Sequence, residues 1–290
     1  MKGDGVPDVT SSQLAVLLRP EHLTRVVDIG ANPIDGDPPY KPLLARRLCR
    51  VVGFEPQPEA LARLDAAKSD LETYLPHAVG DGQRRTLHIC AASGMTSLLE
   101  PDAHVLSHFP GLADWARVLD RRQVDTVALS AVPEIDGIEM LKMDLQGGER
   151  AVLEGAGDTL AETVCIQLEV SFVPLYKGQA PYGEMDLALR ARGFIPHMMA
   201  STSRRMILPL RGPDVYAALN QLVEGDAVYV RNFLEPDGMT AEQLKHLVLI
   251  AHYCYRSFDL ALNGLHHLAR RGAVPADAPA QYMGIVQAGG

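Results

Sequence analysis

The chain has no long apolar run. Nothing in it approaches the ~18 uninterrupted apolar residues of a membrane-spanning helix, so no membrane span is expected. Basic residues are the minority charge. Lys and Arg number 27 against 36 Asp and Glu, and the formal net charge of -9 disfavours gripping nucleic acid or an anionic membrane by bulk electrostatics. Cysteines are few and scattered. Cys49, Cys90, Cys165 and Cys254 form no C-x-x-C pair and sit among apolar neighbours, the pattern of reduced, buried thiols, and a zinc site is not expected. The opening Met1-Lys-Gly-Asp-Gly-Val-Pro lacks an apolar h-region, so the expectation is a cytoplasmic protein without a signal peptide. Repeats and low-complexity stretches are absent as well. What is present is a globular composition: 290 residues, 47% hydrophobic, suffice for one large domain or a domain with an appendage.

The stretch from Arg25 to Asn32 organises the rest. Val26-Val27-Asp28-Ile29-Gly30 is a β-branched run ending at an acid and a glycine, the signature of a buried parallel strand running into a turn where backbone must come close to a ligand. In open α/β sheets ligands lie beyond the carboxyl ends of the strands, and a second strand supplies a ribose contact. Arg50-Val-Val-Gly-Phe-Glu55-Pro56 is such a strand, far enough behind Asp28 to admit a helix between them. The loop then selects the nucleotide. A dinucleotide site uses G-x-G-x-x-G, whereas here only Gly30 is in place, and Asp28, Asp35 and Asp37 would repel a pyrophosphate. S-adenosylmethionine, without phosphate and with a sulfonium and an ammonium, fits better. A chance V-V-D-x-G in some other parallel α/β domain is the bland alternative.

Along the chain, residues 11 to 18 form a short helix capped by Ser11 or Ser12, and 40 to 48 and 58 to 68 form the next two helices. A strand is expected over 73 to 79, ending at the turn Gly80-Asp81-Gly82, with 85 to 91 hairpin-paired back onto it. Residues 93 to 122 loosen into irregular structure, and 125 to 130 return to a strand. Ile138 to Asp144 is again a buried strand that runs into an acid, then Gln146-Gly-Gly, then a helix from Glu149 to Ala156; Thr163 to Glu169 is another acid-tipped strand. A helix over 182 to 192 closes at Gly193, and 205 to 210 and 227 to 231 are candidates for an antiparallel edge. From Thr240-Ala-Glu-Gln243, a capping box, the character becomes helical: two helices, the second from Phe258 to Arg270, form a hairpin that covers an edge of the main domain or mediates dimerisation. The resulting division is a lead-in over 1–25, a main domain over 26–235 and a helical extension over 236–290.

These letters together are similar to a known family. Val-Val-Asp28-Ile-Gly30-Ala-Asn32, Gly53-Phe-Glu55-Pro56, Leu-Lys142-Met-Asp144-Leu-Gln146-Gly-Gly-Glu149 and Gln-Leu-Glu169, in this order, resemble the FkbM family of S-adenosylmethionine-dependent methyltransferases over roughly residues 26 to 231. The resemblance implies a class I methyltransferase (Rossmann-like) α/β fold, with a mostly parallel seven-stranded sheet, here followed by a C-terminal helical appendage. It also implies O-methylation of a hydroxyl on a sugar, polyketide or related small molecule. The chain departs from the pattern in two places: Gln146 stands where the family usually has glutamate, and the loop after Asn32 is longer and contains Pro33, Pro38 and Pro39.

Carried over by motif, Asp28, Gly30, Ala31 and Asn32 hold the methionine part of the cofactor, Glu55 with Pro56 takes the ribose hydroxyls, and Val79, Gly80 and Asp81 lie by the adenine. Each has a bland counterpart: a capped turn for Asp28, a solvated strand-end acid for Glu55, an ordinary turn for Asp81. Asp144 also borders the cofactor and is the candidate for the reacting centre, where a carboxylate orients or deprotonates the acceptor hydroxyl. Gln146 is assigned beside it, and Glu149 has a helix-dipole reading as well as a binding one. Asp144 and Glu169 are weighed as a divalent-metal pair, although no metal ligand is assigned. His104 and His108 share a helical face, and His108 is a candidate base against the commoner solvated histidine. Met95, Ser97, Phe109, Trp115, Tyr176 and Tyr182 are offered as an acceptor pocket, with core packing as their competitor. Rival readings are an NAD(P)-dependent oxidoreductase and an inactive methyltransferase-fold protein that binds a partner through its C-terminal helices. The expected partners are a hydroxylated small molecule and a second copy of the chain, not nucleic acid or membrane.

Overall fold

The computed structural model describes residues 12–32, 36–214 and 219–288, so the readings placed on Ser11, Pro33 and Asp35 lie outside the described residues. The elements run α1 (Gln13–Leu18), β1 (Thr24–Ile29), α2 (Lys41–Ala45), β2 (Cys49–Phe54), α3 (Pro58–Ala67), β3 (Glu72–Leu75), β4 (Ala78–Gly80), β5 (Arg84–Cys90), α4 (Ala103–Leu106), α5 (Leu112–Trp115) and β6 (Val118–Ala128). They continue as β7 (Met140–Met143), α6 (Glu149–Gly155), β8 (Cys165–Ser171), α7 (Tyr182–Arg190), β9 (Phe194–Met199), β10 (Ser203–Arg205), β11 (Gln221–Arg231), α8 (Ala241–Tyr253), α9 (Phe258–Arg270) and α10 (Ala278–Gln287).

The large sheet has the order β10-β11-β8-β7-β1-β2-β3. Strands β3, β2, β1, β7 and β8 are mutually parallel, and β11 joins β8 antiparallel. Of its eight strands, β10 pairs the first part of β11 and β9 the last part, on the side of β11 away from β8, so the sheet is seven positions wide. The mostly parallel sheet, seven positions wide with β11 reversed, is the arrangement that the resemblance implies.

One face of the sheet presents Val27, Ile29, Leu141, Met143, Ile166 and Leu168 to a core shared with Val152 and Leu153 of α6 and Met185 and Leu189 of α7. The other face presents Val26, Val51, Met140, Cys165 and Val228 to α2, α8 and α9. Helix α8 is the centrepiece of that second layer. Thr240 caps it with the full capping box, and Leu244, Leu247, Val248, Leu249 and Ile250 are all buried, each contributing about 1.5–3 kcal/mol by removal from water. The C-terminal helices therefore lie over a face of the sheet, where the sequence reading offered an edge, because α8 is apolar nearly all round and needs strands on one side and α9 on the other. No described helix is long and apolar enough to cross a membrane.

Several local expectations change. The strand over 73 to 79 is broken at Pro76, which has no N–H for a ladder; β3 stays in the large sheet, while β4 enters a separate three-stranded sheet of order β4-β6-β5. There β5 pairs antiparallel with β6 rather than with its predecessor, and β4 pairs β6 in parallel. Strand β6 starts at Val118, not Asp125; its exposed Asp120-Arg-Arg-Gln123 shows no apolar alternation, so the sequence reads as loop. The edge piece expected over 205 to 210 is β10, at Ser203–Arg205, and β9 and α10 carried no clear signal.

Candidate active site at the carboxyl ends of the strands

The face covered by α8 changes character along each strand. Val26, Met140 and Cys165 are paired neighbours in β1, β7 and β8; two residues on, the paired neighbours are Asp28, Lys142 and Gln167, on the same face because side chains alternate with period two. Beyond these come Asp144 and Glu169, and antiparallel β11 brings Asp226 opposite Glu169 and Glu224 opposite Ser171. An apolar surface thus ends in a belt of carboxylates at the carboxyl edge of the sheet.

Asp28 is 1% exposed and fully engaged: Tyr40 donates its hydroxyl to Oδ2 at 2.7 Å and Lys142 Nζ donates to Oδ1 at 3.0 Å. Burial pulls the Lys142 ammonium down, but Asp28 and Asp144 more than offset it and hold it above its ordinary value. The Asp28 carboxylate is the anchor of a buried ion pair at the base of the site, with the following turn above it.

That turn is shaped by Gly30. Its φ of +78° is in the left-handed region, and a Cβ there would lie 2.1 Å from the backbone oxygen of Asp144. Gly30 and Ala31 both donate their N–H to the Phe54 carbonyl at 3.1 Å, which draws the turn toward the end of β2. Asn32 follows with its side-chain oxygen buried and without a hydrogen-bond partner among the described residues. Glu55, 2% exposed, accepts the Gln57 N–H on Oε1 at 2.7 Å across Pro56, which has no N–H to give; burial raises its pKa against the pull of Gln57 and Arg63.

Val79 is buried with Val27, Ile29 and Phe54, and Gly80 is paired to Ala128 in the small sheet. Asp81 binds Arg85 and accepts the Gln83 N–H at 3.1 Å, and the Arg85 guanidinium holds its carboxylate below the usual range. The Asp81 carboxylate thus makes an Asx-turn contact across Gly82.

The centre of the belt is Gln146, itself in the left-handed region at φ +53°. Its amide nitrogen donates to Asp144 Oδ1 at 3.1 Å and to Glu169 Oε2 at 3.0 Å, so one NH2 group bridges two carboxylates. Tyr176 Oη lies 3.3 Å from the amide oxygen, and Ser97 donates to the Gln146 carbonyl at 2.7 Å. Glu149 accepts the Leu145 N–H at 2.9 Å and locks the loop between β7 and α6, and burial pushes its carboxyl up to about 7. Burial, then Glu224, Asp144, Glu149 and Asp226, push Glu169 well above the carboxylate range. Glu224 is raised to about 7 by burial with help from Asp144 and Asp226 and against Arg205, and its Oε1 is buried without a partner among the described residues. Such a belt accepts hydrogen bonds from hydroxyls, tolerates a nearby cation, and contains groups that exchange protons near neutral pH.

Of the six residues read as an acceptor pocket, Met95, Ser97 and Tyr176 converge on Gln146, since Tyr176 Oη also lies 3.2 Å from the Met95 carbonyl. Phe109 and Trp115 pack in the cluster that contains Tyr176, with the Arg205 guanidinium 5.4 Å from the Trp115 ring. Tyr182 packs instead on Phe172 beside the α7 core. His104 and His108 are exposed, with rings edge to face at 5.1 Å, which fits the solvated reading better than a base fixed in a site. Sequence reasoning missed Tyr40, Lys142, Glu224 and Asp226 as parts of this region. The last two carried a signal, acids at i and i+2 ahead of Val228 and Val230, but it lies before the expected start of that strand.

The family model of the methyltransferase FkbM domain matches residues 28–196, from Asp28 into β9, and so spans the site apart from Arg205, Glu224 and Asp226. The chain is 29% identical over 171 residues to the 2-O-methyltransferase NoeI of Sinorhizobium fredii, covering 54% of this chain and 67% of NoeI. Magnesium protoporphyrin IX methyltransferase (ChlM) from Synechocystis PCC 6803, solved with bound SAM, is 12% identical with a TM-score of 0.36 over 75% of this chain and 76% of that one. Precorrin-6y C5,15-methyltransferase from Geobacter metallireducens GS-15 is 11% identical with a TM-score of 0.35 over 75% and 86%. Scores this low add nothing to the strand order.

Proposed function

The chain belongs to the FkbM methyltransferase family, and from that premise we propose that it transfers a methyl group from S-adenosylmethionine to a hydroxyl oxygen of a small molecule, a sugar, glycan or polyketide-type acceptor. The observation that carries the reading is the double engagement of Asp144: its backbone oxygen lies against Gly30, and its carboxylate is joined through Gln146 to Glu169. The turn suited to the cofactor and the acid belt suited to the acceptor meet at that one residue.

The residues present fit the cofactor. Gly30 lets its turn pack directly against the Asp144 backbone, the Asn32 oxygen, unpartnered among the described residues, suits an ammonium, and the Glu55 carboxylate suits a pair of ribose hydroxyls. The belt of acids favours a sulfonium over a pyrophosphate. When bound, S-adenosylmethionine supplies an electrophilic methyl group. The chain's own part is positional and protic. Gln146 holds the Asp144 carboxylate in place, and Asp144 accepts the hydrogen of the acceptor hydroxyl and takes its proton as the oxygen loses it. Oxygen as the acceptor atom is supported by the relation to NoeI, named as a 2-O-methyltransferase.

Calorimetric titration of the purified chain with S-adenosylmethionine, S-adenosylhomocysteine and NADH tests the cofactor first. Saturable binding of the first two and none of the third, followed by transfer of a labelled methyl group to a hydroxylated acceptor detected by mass, is the expected result. Binding of NADH alone would overturn the reading in favour of an oxidoreductase. Cofactor binding without transfer to any of a broad set of hydroxylated acceptors would favour a protein that keeps the cofactor for partner binding.

A further inference from the structure

At the opposite, amino-terminal edge of the sheet, a second cluster of ligating groups joins three segments far apart in sequence. His22 precedes β1, Glu139 precedes β7, and His246 lies on α8; one nitrogen from each histidine and one Glu139 oxygen all lie within 4.8 Å of one another. The two imidazoles are stacked, centroids 4.7 Å apart and planes 22° from parallel. His246 is 1% exposed. Its Nδ1 is occupied by Thr24 Oγ1 at 2.9 Å, while Nε2 is buried and has no hydrogen-bond partner among the described residues. Glu242 Oε1 lies 3.3 Å from that nitrogen, out of alignment for a hydrogen bond. With Nδ1–H donated to Thr24, Nε2 presents a lone pair to that carboxylate oxygen, and a positive ion between them would satisfy both.

We propose that His22, Glu139, His246 and Glu242 form a structural zinc site that staples α8 to the amino edge of the sheet. Two imidazoles and two carboxylates are a donor set that Zn²⁺ accepts, and the Thr24 hydroxyl on the far nitrogen of His246 is the outer contact that orients a ligating imidazole. Tetrahedral zinc at about 2.0–2.1 Å from each ligand needs donor atoms roughly 3.3 Å apart, so the cluster contracts on binding. His22, with a side chain 39% exposed and a ring nitrogen 4.0 Å from Glu139, has room to take up its share of that movement. Charge permits it. Arg25 binds Glu139 and Glu162, and Lys245 binds Glu242 Oε2 at 3.0 Å, so three carboxylates face two cations before the metal arrives.

The test is equilibrium dialysis of the chelator-treated full chain against Zn²⁺, with Co²⁺ as an optical probe and thermal melting as a second readout. Expected are one tight equivalent of zinc per chain, the visible absorption of four-coordinate Co²⁺, and a rise in Tm that saturates at one equivalent. His22→Ala, at an exposed position, should remove all three while the protein stays folded, and Asp144→Ala should leave them intact. Absence of stoichiometric binding would overturn the proposal, as would binding that survives both His22→Ala and His246→Gln, or binding lost in Asp144→Ala, which would move the metal to the acid belt.

Discussion

The substitution Gln146→Glu changes one NH2 to an oxygen with almost no change in shape, and the left-handed backbone at this position is equally demanding for both residues. The consequence is electrostatic. The native amide donates to Asp144 and Glu169 at 3.1 and 3.0 Å; an ionised glutamate in its place would set a third carboxylate against those two. The protonated form, which keeps one O–H donor, is therefore favoured in the folded state, and the folded pKa rises above the unfolded one. For an acid raised in this way, stability is present below the unfolded pKa and is lost as pH rises toward the folded pKa. If the introduced carboxyl reaches the value of about 7 that burial gives Glu149 and Glu224, the loss accumulates between about pH 4.3 and 7. At about 1.36 kcal/mol per pKa unit it sums to roughly 3–4 kcal/mol. Solvent screening at a half-buried side chain trims this to about 2–3 kcal/mol, or ~4–12 °C in Tm for a chain of this size. The assay is thermal melting of both proteins from pH 5 to 8. The melting temperatures should lie closest at pH 5, diverge up to about pH 7 and then run parallel to pH 8. A difference that stays constant with pH, or narrows as pH rises, would refute the account of Gln146 as a neutral bridge between two acids.

Other variants separate the parts of the site. Glu55→Ala should weaken S-adenosylmethionine about 10–100-fold by calorimetry, the value of one or two hydrogen bonds to a charged group, and unchanged affinity would remove Glu55 from the cofactor site. Asp144→Ala should lower turnover about 10²–10⁴-fold with little loss of cofactor affinity, and undiminished turnover would exclude it as the proton acceptor. Tyr40→Phe removes a donor to the buried Asp28 carboxylate and should cost about 1.5–3 kcal/mol in urea unfolding, with an unaltered midpoint counting against the ion-pair anchor.

What could be read from the sequence, and what could not, follows from the direction of the strands. Buried parallel strands are apolar on both faces, so Val26-Val27 and Leu141-Lys-Met143 stand out as runs, and the acids that end them, Asp28 and Asp144, mark the ligand edge without any knowledge of the fold. Strand β6 is exposed along most of its length, so it has no apolar pattern to reveal it, and the ion pair of Asp28 with Lys142 becomes visible only once β1 and β7 are known to be neighbours in that register. Strand β11 inverts the rule. It runs antiparallel to β8, so its beginning, not its end, lies at the ligand edge, and Glu224 and Asp226 reach the acid belt from the start of an apolar run. A search for acids that terminate strands passes over both, although Asp226 stands opposite Glu169 and Glu224, raised by burial and by Asp144, belongs to the same belt as the residues the motif names. In a sheet with one reversed strand, then, the same functional edge is written in the sequence as strand ends for the parallel strands and as a strand beginning for the reversed one. The reversed strand has to be recognised before its acids can be assigned.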